Sequence, residues 1–259
     1  MAEIRFEDGA AYERFMGVWS RKAGDVFLDW LAAPAGLRWL DVGCGNGAFT
    51  GLLLERAAPA FVEGVDPSEA QLAYAREHIA PSSARFHKGD AAALSFPDRA
   101  FDAAVMPLVL FFVKEAGQAV AEMARVVRSG GIVCAYSWDM TGGGLPYAPL
   151  QRAMRECGAD VAMPPNPEAA QMDNLRRYWT DAGLRDLALR EIVVQRTFED
   201  FEDYWTTVQG GPSMRAGLAA LSPAAAAALR ARMQSELAAD AAGRITCTGR
   251  AHAVKGIVP

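Results

Sequence analysis

The sequence predicts an α/β protein in which buried parallel strands alternate with helices. An apolar run from Arg38 to Val42 leads directly into three alternating glycines, Gly43, Gly45 and Gly47, and a helical pattern follows. A second apolar run, residues 61–66, also ends in an acid and precedes a helical pattern. Because ligands bind at the carboxyl edge of an open parallel sheet, the ends of these runs form the candidate site.

The spacing of the glycines in this turn distinguishes between two kinds of nucleotide-binding site. Glycine allows positive φ and lets the backbone approach a ligand closely. A dinucleotide site usually has the spacing G-x-G-x-x-G, whereas this turn has G-x-G-x-G around Cys44, with Asp41 two residues before the first glycine. The pattern resembles motif I of the class I S-adenosylmethionine-dependent methyltransferases. The alternative at this point is a glycine-rich turn in some other Rossmann-like enzyme.

The second strand ends at Asp66, 25 residues after Asp41. That distance is close to the spacing at which an acid meets the ribose hydroxyls of a nucleotide, and a carboxylate accepts two hydrogen bonds at once. Pro67 and Ser68 then open a helical pattern that runs through Ile79. The alternative role of Asp66 is that of a helix-capping acid.

Three further strands follow in the order that such a sheet needs. They are residues 84–90, residues 101–106 and residues 132–136, the last one preceded by Ser129 and two glycines. In the class I methyltransferases an acid after the third strand commonly binds the adenine amino group, and the resemblance assigns that role to Asp90 and Ala91. Ser129 stands where the family usually has proline.

Together the four motifs are similar to the UbiE/type 11 group of small-molecule methyltransferases over about residues 10–138. The resemblance implies a Rossmann-like seven-stranded methyltransferase sheet with an antiparallel last strand and helical cap elements. It also implies S-adenosylmethionine as cofactor and S-adenosylhomocysteine as product. The cofactor contacts that we expect are Tyr12, Arg21, Asp41, Gly43, Cys44, Gly45, Asp66, Pro67, Asp90, Ala91 and Met106.

Length and composition limit the class of protein. A chain of 259 residues fits one domain, residues 1–259, with an N-terminal helical segment over residues 1–36. The net charge of −5 without a Lys/Arg stripe argues against a nucleic-acid partner. No apolar run is long enough to span a membrane and no secretory signal is visible, so we expect a cytoplasmic protein. Its four scattered cysteines predict neither disulfides nor a metal site. A monomer and a homodimer both remain open.

The C-terminal part continues the sheet and adds helices. We expect a helix over about residues 168–182 ended by Gly183, a strand over residues 186–198, a helix from Ser222 to about residue 239 and a last strand over residues 244–255. In the predicted topology the sixth strand ends, and the seventh begins, at the edge where the cofactor binds. Residues of about 199–243 are therefore expected to form a substrate cap.

The expected reaction is methyl transfer to O, N or C of a small molecule by in-line displacement. Since the methyl donor is already activated, holding two reactants in line can supply most of the catalysis. No general base is evident, and His78, His87 and His252 are expected to be structural or surface residues. The aromatic residues that we expect at an acceptor pocket are Trp138, Tyr147, Tyr204 and Trp205.

Two other functions compete with this hypothesis. A protein that binds S-adenosylmethionine but has lost catalysis, acting as a sensor or partner, would keep the same binding motifs. An NAD(P)-dependent oxidoreductase is disfavoured by the glycine spacing and by the antiparallel last strand. Metal dependence is not expected, because the acid-amide pair Asp173-Asn174 falls in a predicted helix and not at a strand end.

Overall fold

The computed structural model describes residues 13–259, apart from the side chains of residues 13, 212 and 213. Its sheet has seven strands in the order β3-β2-β1-β4-β5-β7-β6. The strands are β1 Arg38–Val42, β2 Phe61–Asp66, β3 Ala84–Lys88, β4 Phe101–Pro107, β5 Val127–Trp138, β6 Arg185–Phe198 and β7 Ile245–Ile257.

Strand direction confirms the predicted type of sheet. The first five strands pair in parallel, and β7 runs antiparallel to β5. Side-chain contacts between Gln195 and Thr248 and between Thr197 and Thr246 step in opposite directions along β6 and β7, as in an antiparallel pair. The sheet is therefore mixed, with β7 opposed to its neighbours.

The described part of the chain has nine α-helices, one before β1 and eight between the strands. They are α1 Val18–Leu31, α2 Ala48–Arg56, α3 Glu69–His78, α4 Ala116–Val126, α5 Ala148–Glu156, α6 Met172–Asp181, α7 Phe201–Val208, α8 Pro212–Ala219 and α9 Pro223–Glu236. A π-helical turn, Glu13–Gly17, precedes α1, and 3-10 turns occur at Leu110–Phe112 and Pro167–Ala170. None of these helices is long and apolar enough to cross a membrane.

The helix predicted over residues 168–182 was wrong at its start. A 3-10 turn occupies Pro167–Ala170, Gln171 is extended, and α6 begins only at Met172. A contact that is distant along the chain stabilises the break, because the Gln171 side chain donates a hydrogen bond to Thr141 Oγ1 at 3.0 Å. The predicted stop at Gly183 is confirmed: its φ is +77°, and the Leu184 N–H reaches back to the Trp179 carbonyl.

The chain divides into two compact units. Among the described residues, unit 1 comprises residues 13–20, 142–163 and 193–250, and unit 2 comprises residues 21–141, 164–192 and 251–259. In unit 2, helices α4 and α6 pack on the sheet, and Trp179 donates a hydrogen bond from its buried indole to the Val133 carbonyl at 2.9 Å. In unit 1, residues 199–243 form α7, α8 and α9. Their role as a substrate cap stays a prediction, as does the single-domain organisation.

Gly131 of β5 lies close to the backbone of its neighbours. A Cβ atom built on it would lie 2.5 Å from the Asp102 carbonyl oxygen and 2.8 Å from the Arg128 carbonyl oxygen. Both oxygens belong to the backbone, and the β4–β5 register already shifts between Phe101 and Ala103. A side chain at this position must therefore displace a strand.

We expect Gly131→Ala to lower the free energy of unfolding by about 1–3 kcal/mol, the usual cost of overpacking. Urea denaturation measures this change. The matched control is Gly51→Ala on α2, where a Cβ meets nothing within 4 Å. Because alanine favours a helix interior by about 1 kcal/mol over glycine, the control variant should be as stable as the wild type or more so. Equal effects at the two glycines would contradict the steric explanation.

Candidate functional site

The turn between β1 and α2 is fixed on the end of β2. The N–H groups of Gly43 and Cys44 both donate to the Val65 carbonyl, at 2.8 and 3.1 Å. The next N–H, that of Gly45, donates to Asp66 Oδ2 at 3.0 Å. Gly43, Gly45 and Gly47 have φ values of +76°, +52° and +83°, which explains the glycines at these positions.

Only one of the three glycines faces open space. A Cβ at Gly43 would lie 2.5 Å from Val109, and one at Gly47 would lie 2.9 Å from Ile79. A Cβ at Gly45 would meet nothing within 4 Å. The first and third glycines therefore serve protein packing, whereas the middle one leaves room for a ligand beside the backbone.

Asp41 is fully buried at the end of β1. Its Oδ2 accepts a hydrogen bond from Thr50 Oγ1 at 2.6 Å, while its Oδ1 is buried without a hydrogen-bond partner among the described residues. Burial raises the pKa of this carboxyl to about 7; the Thr50 bond opposes the rise and the nearby Asp66 charge adds to it. The described part of the chain thus leaves one buried acceptor atom here without a donor.

Asp66 stands half-buried at the carboxyl end of β2. Besides the Gly45 bond, its Oδ1 accepts from the Ser68 N–H at 2.8 Å. Each carboxylate oxygen keeps a lone pair for a further donor. The capping role is taken by Ser68, whose Oγ accepts from the Gln71 N–H at the start of α3, so Asp66 is not the helix cap. Its neighbour Pro67 is exposed.

The segment after β3 folds back on itself. Asp90 is exposed; its Oδ1 accepts from the Ala92 N–H at 2.9 Å and its carbonyl accepts from the Ala93 N–H at 3.1 Å. Ala91 is half-buried within this turn. The turn starts close to the Asp66 strand end, because the Gly89 N–H donates to the Asp66 carbonyl at 3.1 Å.

The end of β4 holds the last predicted cofactor residue, Met106, which is fully buried. Two residues on, Leu108 has a φ of +59°, a conformation that costs a leucine about 1–3 kcal/mol, and its N–H donates to the Tyr136 carbonyl at 2.7 Å. Val109 then packs on Gly43. Leu108, Val109 and the Asp41 partner Thr50 were missed from the sequence, where no local pattern marks them.

The other expected cofactor residues are placed differently. Cys44 is buried, and a Cβ at Gly64 would lie only 2.9 Å from its sulfur. Burial raises the pKa of the Cys44 thiol, so this residue acts as a small packed side chain. The Arg21 guanidinium lies 2.5 Å from Glu55, which belongs to the last turn of α2 and not to the glycine-rich turn. Tyr12 lies outside the described residues. Cofactor contacts by Arg21 and Tyr12 stay predictions.

The predicted acceptor aromatics fall in both units and are almost fully enclosed. Trp138, at the end of β5 in unit 2, is 2% exposed. In unit 1, the Tyr147 hydroxyl accepts from the Trp19 indole at 2.8 Å and donates to the Phe15 carbonyl at 2.9 Å. Tyr204 is 1% exposed, and Trp205, at 9%, stacks on Phe201. These contacts serve packing, and the acceptor role of the four rings stays a prediction.

Each of the three histidines has a hydrogen-bond partner. His78 Nδ1 contacts the Tyr74 carbonyl at 2.8 Å, and His87 Nε2 contacts Glu63 at 2.6 Å. His252 Nδ1 contacts the Ala170 carbonyl at 2.8 Å. A backbone or carboxylate partner orients each imidazole, which agrees with the structural role expected from the sequence.

Comparison with known proteins shows that the part of the chain that forms this site is similar to methyltransferases. Residues 40–135 match the model of a methyltransferase domain. The UbiE ubiquinone/menaquinone biosynthesis C-methyltransferase of Dinoroseobacter shibae is 34% identical over 133 residues, covering 50% of this chain and 52% of that protein. The trans-aconitate 2-methyltransferase of Variovorax paradoxus is 32% identical over 152 residues, covering 59% and 56%. The chain thus spans about half the length of the curated relatives it matches.

The fold comparison agrees with the sequence comparison. The crystal structure of a putative methyltransferase from Bacillus halodurans superposes with a TM-score of 0.60 at 16% identity, covering 91% of this chain and 98% of that one. Residues 40–135 therefore match a methyltransferase domain, and the fold is shared with a methyltransferase structure. The curated proteins to which this chain is similar include a UbiE C-methyltransferase.

The raised pKa of Asp41 makes the stability of the protein depend on pH. Because the folded-state pKa of about 7 exceeds the unfolded value of 3.8, ionising Asp41 costs folding free energy as pH rises between these values. In Asp41→Asn this cost is absent. We expect urea denaturation at each pH to show the variant gaining stability relative to the wild type as pH rises from 5 to 8, by at most about 3 kcal/mol, because only about two units of the pKa shift lie in this range.

The matched control is Asp102→Asn. Hydrogen bonds from the Arg38 N–H and from Arg128 lower the pKa of Asp102. The stability that Asp102 contributes is already fully present above the unfolded pKa, so the difference between this variant and the wild type should stay constant between pH 5 and 8. A constant difference for Asp41→Asn as well would show that Asp41 does not titrate in this range.

Proposed function

We propose that this chain transfers a methyl group from S-adenosylmethionine to a small-molecule acceptor. One observation carries the proposal: Asp41, buried at the end of β1, keeps an acceptor oxygen without a partner among the described residues, and the turn that follows presents its middle glycine, Gly45, to open space. The match of residues 40–135 to the methyltransferase family supports the same conclusion.

The hydrogen-bonding groups at this edge of the sheet suit the parts of that cofactor. Asp66 offers two carboxylate oxygens with remaining lone pairs, which fits the vicinal hydroxyls of a ribose. The exposed Asp90 and the adjoining Ala91 offer a carboxylate and a backbone N–H to an adenine edge. The unpartnered Asp41 oxygen offers an acceptor to the ammonium group of the methionine part. We assign these roles as proposals.

When bound, S-adenosylmethionine supplies a methyl group on a cationic sulfonium sulfur, which a nucleophile can displace in line. The task left to the chain is then to bind, orient and exclude water. Holding two reactants in line can account for up to about 7–11 kcal/mol of the barrier. Since all three histidines are held by hydrogen bonds away from the glycine-rich turn, we propose no general base.

The sequence and structure define the methyl acceptor less closely than they define the cofactor. One relative carries the name of a C-methyltransferase of quinone biosynthesis and another that of a trans-aconitate methyltransferase, so the group does not fix the acceptor atom. The net charge of −5 favours a neutral or cationic acceptor. Roles in acceptor binding for Trp138, Tyr147, Tyr204 and Trp205, and a cap formed by residues 199–243, are further proposals.

An acceptor screen tests the proposed activity. The protein is incubated with a bacterial metabolite extract and S-adenosylmethionine that carries a deuterated methyl group, and mass spectrometry detects any metabolite that gains the label. A Gly45→Val sample is the control for nonenzymatic transfer. Labelled product that depends on the wild-type protein supports the proposal. S-adenosylhomocysteine binding without label transfer to any extract would instead favour a silent sensor or partner.

Gly45→Val should abolish cofactor binding. The β-branched side chain would enter the open space, and valine is strongly disfavoured at the Gly45 φ of +52°. Isothermal titration should show one S-adenosylhomocysteine per wild-type chain, no NADH binding and no binding to the variant. Gly51→Ala is the control, because it adds a side chain outside the turn. Wild-type affinity in Gly45→Val would place the cofactor elsewhere.

Asp66→Asn should weaken S-adenosylhomocysteine binding while the protein stays folded. A charge-assisted hydrogen bond contributes about 1.5–3 kcal/mol, or a 10- to 150-fold change in Kd. The amide keeps an acceptor oxygen for only one of the two backbone N–H groups, those of Gly45 and Ser68, so we expect the melting temperature to fall by a few degrees, roughly 2–4 °C per kcal/mol. An unchanged Kd together with a large fall in melting temperature would make Asp66 a structural residue.

A further inference from the structure

Two side chains of α4 hold the segment that follows the Asp90 turn. Arg125 donates from Nη2 to the Leu94 carbonyl and from Nη1 to the Phe96 carbonyl, both at 2.9 Å. Glu122 Oε2 accepts from the Leu94 N–H at 2.8 Å. Both backbone polar groups of Leu94 are thereby bound to this pair. A surface helix thus fixes a loop that is about 30 positions earlier in the sequence.

The two side chains are also bound to each other. The Arg125 Nε–H donates to Glu122 Oε1 at 2.7 Å and its Nη2–H to Glu122 Oε2 at 2.8 Å, a bidentate pair. Arg125 contacts Asp98 at 2.7 Å as well. The hydrogen bond from Arg125 lowers the pKa of Glu122, and the bonds to Glu122 and Asp98 raise the pKa of Arg125, so both partners are ionised at neutral pH.

The loop between β3 and this pair is short and held at both ends. Its first residue, Gly89, donates to the Asp66 carbonyl at 3.1 Å, and its last, Leu94, is bound to Glu122 and Arg125 and has a buried side chain. Between these two points lie only Asp90, Ala91 and two further alanines. Moving Leu94 by one hydrogen-bond length would therefore move Asp90 and Ala91.

We infer that Glu122 and Arg125 are positioning residues that hold the Asp90–Ala91 turn in the arrangement that recognises the adenine base of the cofactor. The inference rests on the proposed role of Asp90 and Ala91 in that recognition. Neither α4 residue contacts the base in this account. Each acts through the backbone of Leu94 and Phe96.

The geometry also explains why an arginine is needed. A guanidinium presents five N–H donors in a planar fork, whereas a lysine ammonium is a compact point charge. Arg125 uses its fork to reach two carbonyls and two carboxylates at the same time. A lysine at this position would keep the charge but lose most of these bonds.

The test compares two ligands, S-adenosylhomocysteine and S-inosylhomocysteine, in which an oxygen replaces the adenine amino group. Isothermal titration gives the Kd of each ligand for the wild type, Arg125→Lys and Glu122→Gln. We expect the wild type to prefer the adenine ligand. In both variants, S-adenosylhomocysteine should bind at least 10-fold more weakly while S-inosylhomocysteine changes little, so that the ratio of the two Kd values approaches one.

Arg56→Lys is the matched control. Arg56 also binds two carboxylates, those of Asp25 and Asp29, but its partners lie on α1 and not on the loop. The ratio of Kd values should stay at the wild-type value in this variant. Glu122→Gln is the second route to the answer if Arg125→Lys does not fold, because it keeps the size of the side chain but replaces one of the two oxygens that bind Leu94 and Arg125 with an N–H donor.

Three outcomes overturn the inference. Variants that keep the wild-type ratio would show that the pair does not set adenine recognition. Equal weakening of both ligands would show a general structural role. A wild type that binds S-adenosylhomocysteine without preferring it over the inosine ligand would refute the adenine role of the loop. A wild type that binds neither ligand would contradict the proposed function itself.

Discussion

The attachment of the β1–α2 turn to the end of β2 is the constraint on which the rest of the site depends. Three successive N–H groups, those of Gly43, Cys44 and Gly45, are bound to the Val65 carbonyl and the Asp66 carboxylate. These bonds set the distance between the open glycine and the acid. Asp66 therefore has two roles: its carboxylate holds the turn in place, and we assign the same carboxylate to the ribose hydroxyls.

The buried Asp41 shows that this arrangement is not optimised for stability. A neutral residue would avoid the desolvation that raises the pKa of the carboxyl to about 7. Thr50 satisfies one oxygen only, and the other is left without a partner among the described residues. A buried, unsatisfied acceptor usually costs about 1–3 kcal/mol. Cofactor binding gives a physical reason for retaining the acid there.

The strained Leu108 and the ion pair of α4 are further supports of the same edge of the sheet. Leu108 adopts positive φ so that the chain can turn after β4 and place Val109 against Gly43. Glu122 and Arg125 perform the comparable task after β3, through hydrogen bonds to the backbone of Leu94. Leu108 lies outside the motifs, whereas Glu122 and Arg125 stand in residues 122–131, the run that leads into the last of them.

Several features could be predicted because they are properties of consecutive residues. The strands that end near Asp41 and Asp66, the glycine stop after α6 and the Ser222 start of α9 all follow from local patterns and agree with the structure. Helices α5 and α8 were missed because the described residues before them provide no side-chain cap. The break at Gln171 was missed because its stabilising partner, Thr141, is 30 residues away.

The sequence by itself determined the fold class and the order of the motifs, since motif spacing is fixed by the covalent chain. Only the tertiary structure decided which partners each side chain has. The Tyr147 ring stacks on Phe15 and its hydroxyl accepts from the Trp19 indole, contacts that no local pattern in the sequence shows. Gly43 and Gly45 look equivalent there, yet Val109 fills the space at the first. Burial and hydrogen-bond satisfaction depend on contacts with residues that are distant along the chain, and local sequence patterns do not identify those residues.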